Sequence, residues 1–399
     1  MTVRGQPYDV IVIGGGPAGS ASAITIARAG YRVLLIERRS DEEFKVGESL
    51  PPTVKPLLRE LGLMERFKAD GHLPSYGNQS AWGSSRLRST DFIMNPQGNG
   101  WHLNRVKFDA MLRAGAQDAG AETLEATRVN RLSRTADELW QVHLSGGNQL
   151  EEKFAPWLID CTGRSSFVAR SLGVKRISYD QLVGFVSLFR APESMEASDQ
   201  DSLTVIEAAT HGWWYTALIT SGRRIVVYFT DADIQTGKLA RSADGFIKLL
   251  NQTEYIRRKI KDSGHALDEG PWATGANSAR LEHAAGMGWL AAGDSALSFD
   301  PLSSQGICTA LYTGIKAGSA LHHHLTGRRD ALKQFTSEIN SIYEAYLKNR
   351  TTFYAYEQRW PSSEFWRRRQ GVVSPEAQLR VNQAAQSELG ELPKSRSGV

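Results

Sequence analysis

The 399-residue chain predicts an α/β fold in which a lobe opened by a βαβ unit is interrupted by an antiparallel β-sheet and followed by a C-terminal helical segment. Three observations predict it. Residues 8–37 run through an apolar stretch, a glycine turn, a helix-like stretch and a second apolar stretch, which together make one βαβ unit. Between residues 175 and 275, short runs rich in β-branched and aromatic residues follow one another across short turns. After Gly288 the strand, turn and helix pattern returns, as though the chain re-enters its first lobe. A chain of this length also exceeds what one hydrophobic core usually fills, so two interwoven lobes are expected.

The first unit reads "DVIVIG", then "PAGSASAITIARAG", then "RVLLIE". Gly14, Gly16 and Gly19, with Pro17 and Ala18 between the last two, form G-x-G-x-x-G between strand and helix, and Glu37 ends the next strand about 20 residues on. Gly14 permits the tight turn, Gly16 lets backbone approach a pyrophosphate, and Gly19 allows close helix packing. The helix N-terminus favours phosphate charge, and Glu37 can accept hydrogen bonds from a ribose. The motif predicts a dinucleotide site but does not choose between NAD and FAD, which share it.

Strands are expected at "FAPWLIDCTG", "QLVGFVSLFRA", "SLTVIEAA", "GWWYTALIT" and "RRIVVYFT". Alternation along "HGWWY" would point His211, Trp213 and Tyr215 one way and Trp214 the other. Together with Trp82, the first set is a candidate substrate pocket, with His211 also a conceivable base. Aromatic residues filling a core explain each of them equally well.

Four segments in order decide the cofactor: the fingerprint at 14–19, "VGESLPP" at 46–52, "DCTGRSSFVAR" at 160–170 and "AAGDSALSFDPLSSQG" at 291–306. In these the chain resembles the FAD-dependent monooxygenase superfamily of aromatic hydroxylases, geranylgeranyl-reductase-like enzymes and tryptophan-halogenase-like flavoproteins. The resemblance implies a Rossmann-type, GR2-like FAD-binding domain, an inserted antiparallel substrate domain and the C-terminal helical segment. It implies boundaries at 1–75, 100–174 and 276–335 for the FAD domain, 76–99 and 175–275 for the substrate sheet, 336–382 for the helical segment and 383–399 for a flexible tail.

Carried over by residue, the resemblance makes Glu37 the adenosine ribose ligand with Arg38 beside it, and puts Glu48 and Ser49 of "VGES" at the cofactor. Arg105 in "WHLNRVKFD" resembles the arginine that reaches the FAD pyrophosphate or ribityl chain, a surface salt bridge being the alternative. Val129 sits where strand backbone contacts adenine, and Gly163 lies in the second nucleotide motif. Asp294 matches the acid on a ribityl hydroxyl, though read alone it is most simply a helix cap. Pro301 to Ile307 resembles the loop beside the flavin ring, with a helix opening near Gly306 whose N-terminus would stabilise negative charge on a reduced flavin.

The resemblance further implies oxygenation of an electron-rich aromatic, indole or phenol, free or tethered to a peptide or protein, through a flavin C4a-hydroperoxide. Molecular oxygen would be co-substrate, and electrons would come from NAD(P)H or a partner flavin reductase, since no second fingerprint is present. Halogenases of this kind carry a lysine some thirty residues after the V-G-E segment and a W-x-W-x-I-P motif. Here no lysine stands between Lys68 and Lys107, and "GWWYTALIT" has no proline, so halogenation is disfavoured. An oxidase or reductase outcome and a non-catalytic flavin-bound maturation partner are the other readings. A narrower resemblance, carried by "YAYEQRWPSSEFWRRRQ", "GESLPP" and "DPLSSQG", is to the subgroup that modifies protein- or peptide-bound tryptophan, as in cysteine tryptophylquinone maturation. The bland reading of that first segment is a clamp across the two lobes with its arginines in solvent.

Composition narrows the rest. The 47 basic and 43 acidic residues nearly cancel, which argues against a nucleic-acid binder. Cys161 and Cys308 are the only cysteines and have no metal-ligand spacing, so neither a disulfide framework nor a metal site is expected. The run His322 to His324 cannot share one helix face and reads as a solvated helix end. No signal region opens the chain and no apolar run approaches the roughly 20 residues a membrane helix needs, so a cytoplasmic protein without a membrane span is expected, of open oligomeric state.

Overall fold

A computed structural model of the protein describes residues 6–39, 44–92, 94–146, 149–191, 201–220 and 222–370. The tail expected after residue 383 lies outside them, as does the end of the helical segment expected to reach 382. The strand Val10–Ile13 sits inside a six-stranded sheet ordered Ala285–Gly286, Trp289–Ala291, Trp157–Asp160, Val10–Ile13, Val33–Ile36, Glu122–Leu124. Its pairs are parallel apart from the short antiparallel edge at Ala285–Gly286. The central sequences "VIVI" and "VLLI" are apolar at every position because both faces of this sheet are covered. One cover is the helix Pro17–Arg28, against which the helix Gly306–Leu325 packs backbone to backbone. A Cβ on Gly314 would come 2.3 Å from the Ala18 carbonyl oxygen, and Ser22 Oγ donates to the Gly314 carbonyl at 3.0 Å.

The strand expected from "FAPWLIDCTG" shortens to Trp157–Asp160, because the residues before Pro156 belong to a separate antiparallel meander, Arg128–Arg134, Trp140–Gly146 and Gln149–Ala155. The second large sheet is seven-stranded: Ala266–Gly275, Leu182–Arg190, Arg223–Asp231, Gly212–Leu218, Thr204–Ala209, Gly77–Ala81, Arg88–Asp91. Its neighbours are antiparallel except for the parallel pair of Thr204–Ala209 with Gly77–Ala81. Alternation divides its aromatics between two faces. Trp213 stacks on Phe229 at 4.1 Å on one, and Trp214 stacks on Tyr228 at 4.6 Å on the other, which the helices Ala243–Leu250 and Tyr255–Asp262 cover.

The C-terminal helices Ala331–Tyr356 and Glu364–Gln370 close over the Trp213 face, burying Tyr354, Phe365 and Trp366. The arginines there are not all in solvent: Arg369 is buried and donates to Asp231 Oδ2 at 3.0 Å, which ties the second helix to the sheet. The histidine run ends the helix Gly306–Leu325, but it is not simply solvated. His322 packs edge-on to Tyr31 and His324 edge-on to Trp157, leaving His323 exposed. Among the described residues no cluster of His, Cys, Asp or Glu could hold a metal, and no helix is long and apolar enough to cross a membrane.

Candidate functional site

Three parallel strands end side by side, at Ile13, Asp160 and Ala291, and the turns that follow them form the floor of a cavity of about 400 Å³. This is where an open parallel sheet takes its ligand. The turn after Ile13 needs glycine twice for different reasons. Gly14 has φ +106°, and a Cβ there would meet the Cys161 carbonyl oxygen at 2.2 Å; a Cβ on Gly19 would meet the Gly14 carbonyl oxygen at 1.7 Å. Gly16 is the contrast, because a Cβ there meets nothing within 4 Å. Gly163 and Gly306, both also in the cavity wall, have the same open side. The bare backbone at these three positions is turned toward the cavity rather than toward protein.

Two helices start at this cavity, Pro17–Arg28 and Gly306–Leu325, and neither has a side-chain cap. Their first N–H groups and dipoles are thereby left for an anion. Glu37 accepts from the N–H of Gly15 at 2.7 Å and of Arg39 at 2.8 Å, which fixes its carboxylate beside the glycine turn. Arg105 opens the helix Arg105–Asp118, capped by Asn104, and is held by Asp109 and by the carbonyls of Val46 and Gly47 at 3.0 and 3.2 Å. Burial would raise the Asp109 carboxyl, but Arg105 and Lys45 outweigh it and hold it below the usual carboxylate range. Bare backbone at Gly16, two uncapped helix starts and a carboxylate fixed at the glycine turn are the chemistry a dinucleotide needs, and among these Glu37, like Gly14 and Gly19, stands outside the cavity wall itself.

Asp294 lies in the short turn Gly293–Ser295, not at the cap of a longer helix, and its partner is Arg164 at 3.4 Å. The capping aspartate of that segment is Asp300, whose Oδ1 accepts from the Leu302 N–H at 3.0 Å. Asp300 is buried in the cavity wall. Its Oδ2 accepts from the Tyr354 hydroxyl at 2.7 Å and faces Arg350 Nε at 3.5 Å. Burial raises its carboxyl above the ordinary value even with Arg350 alongside. Sequence reasoning missed Asp300, Arg164 and Asp109. For Asp109 the signal was an acid one helical turn after Arg105. For Asp300 it was the i, i+4, i+8 spacing of Tyr346, Arg350 and Tyr354, all of which converge on it.

Of the pocket candidates, only Tyr215 lines the cavity, near Val227 and Phe229 of the neighbouring strand. Its hydroxyl donates to Glu48, which is also in the wall together with Ser49. His211 precedes the strand rather than lying on it; it is exposed, and its Nδ1 faces Ser363 Oγ at 3.4 Å. Trp213 and Trp82 stand behind the wall. Trp213 is buried under Phe229 and donates to Tyr354, and Trp82 Nε1 donates to the Phe353 carbonyl. Val129 is buried in the meander and Arg38 is outside the wall; neither is brought to the cavity. Gly16, Pro17, Ala18, Glu48, Ser49, Arg105, Gly163, Asp294, Pro301, Gly306 and Ile307 line it together.

Residues 7–350 match the model of the FAD binding domain family. The chain is 32% identical to the FAD-dependent oxidoreductase LodB of Marinomonas mediterranea over 91% of its own length and 97% of LodB. Its fold superposes on the myxobacterial chondrochloren halogenase CndH with a TM-score of 0.82, at 21% identity, covering 98% of this chain and 92% of that one. It also superposes on the peptidyl tryptophan dihydroxylase QhpG, essential for tryptophylquinone cofactor biogenesis, with a TM-score of 0.71 at 22% identity, covering 93% and 80%.

Proposed function

Because the chain belongs to the FAD binding domain family, within the superfamily of FAD-dependent aromatic hydroxylases and halogenase-like flavoproteins, we propose that it is a monooxygenase adding oxygen to an electron-rich aromatic ring of indole or phenol type. The ring is free or carried on a peptide or protein; the likeness to QhpG, a peptidyl tryptophan dihydroxylase, supports the tethered form. Bound FAD, reduced by NAD(P)H or by a partner reductase, would supply the chemistry with oxygen. The protein's part is to hold the cofactor at the two uncapped helix starts, to shield it under the aromatic sheet face and to orient the ring.

The observation that carries hydroxylation over halogenation is the composition of the wall. Among the described residues the basic side chains lining the cavity are Arg105 and Arg164, and no lysine reaches it. A halogenase of this kind needs a lysine near the ring to relay or orient hypohalous acid. The test is to supply reduced flavin, oxygen and bromide to the purified, FAD-loaded protein with an indole and a phenol. A product carrying new oxygen supports the reading. A brominated product, or turnover without oxygen insertion, overturns it.

A further inference from the structure

Three carboxylates line the cavity, and they differ in how they are compensated. Asp294 has Arg164, and Asp300 has Arg350 together with the Tyr354 hydroxyl. Glu48 has no lysine or arginine within ion-pair distance among the described residues. Its residue is only 4% exposed; Oε2 accepts from the Gly47 N–H at 3.1 Å and Oε1 from the Tyr215 hydroxyl. A carboxylate has about four acceptor positions, so two remain for a donor inside the cavity. A buried carboxylate without a cation is costly unless its remaining positions are hydrogen-bonded.

The Tyr215 hydroxyl donates to Glu48 from a buried position. On the neighbouring strand, Thr204 Oγ1 lies 3.0 Å from His102 Nε2. Burial pushes the Tyr215 phenol well above its ordinary value, and holds the His102 imidazole down at about 4, so both stay neutral near pH 7. Tyr215 stands on the substrate-side sheet, next to the apolar surface of Val227 and Phe229.

Resting on the aromatic-substrate reading above, we propose that Glu48 is the substrate-facing acceptor of the cavity: its carboxylate takes the hydrogen bond of an indole N–H or a phenol O–H and so sets which edge of the ring faces the cofactor. Glu48 thereby leaves the cofactor set in which its motif placed it. Tyr215, which donates to it, is a positioning residue that acts through it.

The test is a binding titration of the oxidised, FAD-loaded full chain, read from the perturbation of the flavin visible spectrum. Two matched pairs of probes are used: N-acetyltryptophanamide with its 1-methylindole analogue, and N-acetyltyrosinamide with its O-methyl analogue. Wild type is expected to bind the donor form of one pair about tenfold or more tighter than its methylated form, as a hydrogen bond to a charged acceptor provides; which pair responds separates indole from phenol. Glu48→Gln is expected to keep FAD stoichiometry and to cut that preference to about threefold or less, and Glu48→Leu to abolish it. Loss of FAD from Glu48→Gln, or an undiminished preference in Glu48→Leu, overturns the assignment and leaves the aromatic reading standing. If no probe perturbs the wild-type spectrum, the aromatic reading fails and the assignment fails with it.

Discussion

Substituting Gly16 by valine separates cofactor binding from folding. Gly16 has φ −75° and ψ −171°, extended backbone that any residue adopts, and a Cβ there meets no protein atom within 4 Å. The cost to the apoprotein is therefore confined to replacing glycine at a helix N-cap, about 1 kcal/mol or less. The valine methyls would project into the side of the cavity where a pyrophosphate must approach the backbone. FAD at a hundred times its dissociation constant contributes about 2.7 kcal/mol to wild-type stability. At about 2.1 cal/mol/K of unfolding entropy per residue, that corresponds to a shift of about 3 °C for a chain of this length. Thermal scans of apoprotein with and without FAD should show the shift in wild type and its absence in Gly16→Val, with the two apo midpoints within about 1 °C. A variant that keeps the FAD-dependent shift would refute the pyrophosphate assignment. One whose apo midpoint collapses would refute the claim that Gly16 faces the cavity rather than the protein.

Gly19→Ala should behave oppositely, lowering the apo midpoint itself, because its Cβ would lie 1.7 Å from the Gly14 carbonyl oxygen. Asp294→Ala should retain the fold and lose FAD on gel filtration; full FAD occupancy would return Asp294 to a local partner of Arg164. Asp231→Ala leaves Arg369 buried without its carboxylate and should cost about 3–5 kcal/mol in urea unfolding, whereas a loss under 1 kcal/mol would mean that the second C-terminal helix does not depend on the pair. His102 and His72 are held by burial at about 4 against an ordinary value of 6.5, so between those pH values the unfolded chain binds more protons and stability falls as the pH drops. Removing one of them, as in His102→Gln, should flatten that fall between pH 6.5 and 4; an unchanged slope would mean that His102 titrates normally.

The parts of the fold legible in the sequence are those where one residue type has one use. Gly14 and Gly19 announce themselves because only a missing Cβ fits against Cys161 and Gly14, and the apolar runs of the parallel strands follow from burial on both faces. The split of Trp213 and Trp214 across the second sheet follows from alternation alone. Alternation failed at His211 because the strand begins one residue later, and a register argument cannot locate a strand end. The meander at 128–155 was hidden by its polar exposed positions, so its runs lack the apolar density of the central strands. Partners distant in sequence were also out of reach. Tyr215 and Glu48 lie 167 positions apart, and Asp300 meets Tyr354 across 54, so neither pair leaves a local pattern. Trp213 and Tyr215 share a strand face, yet Trp213 is stacked under Phe229 and Tyr215 reaches the wall, a difference that only packing decides.

The most direct test of oxygen insertion is isotopic. The FAD-loaded protein, with a reductase and NADH, is given a tryptophan-containing peptide, N-acetyltryptophanamide or N-acetyltyrosinamide under heavy-isotope dioxygen, with bromide present, and the products are read by mass spectrometry. The expected result is a ring product carrying labelled oxygen from dioxygen and no halogen. A brominated ring, or an oxidised product without labelled oxygen, would contradict it.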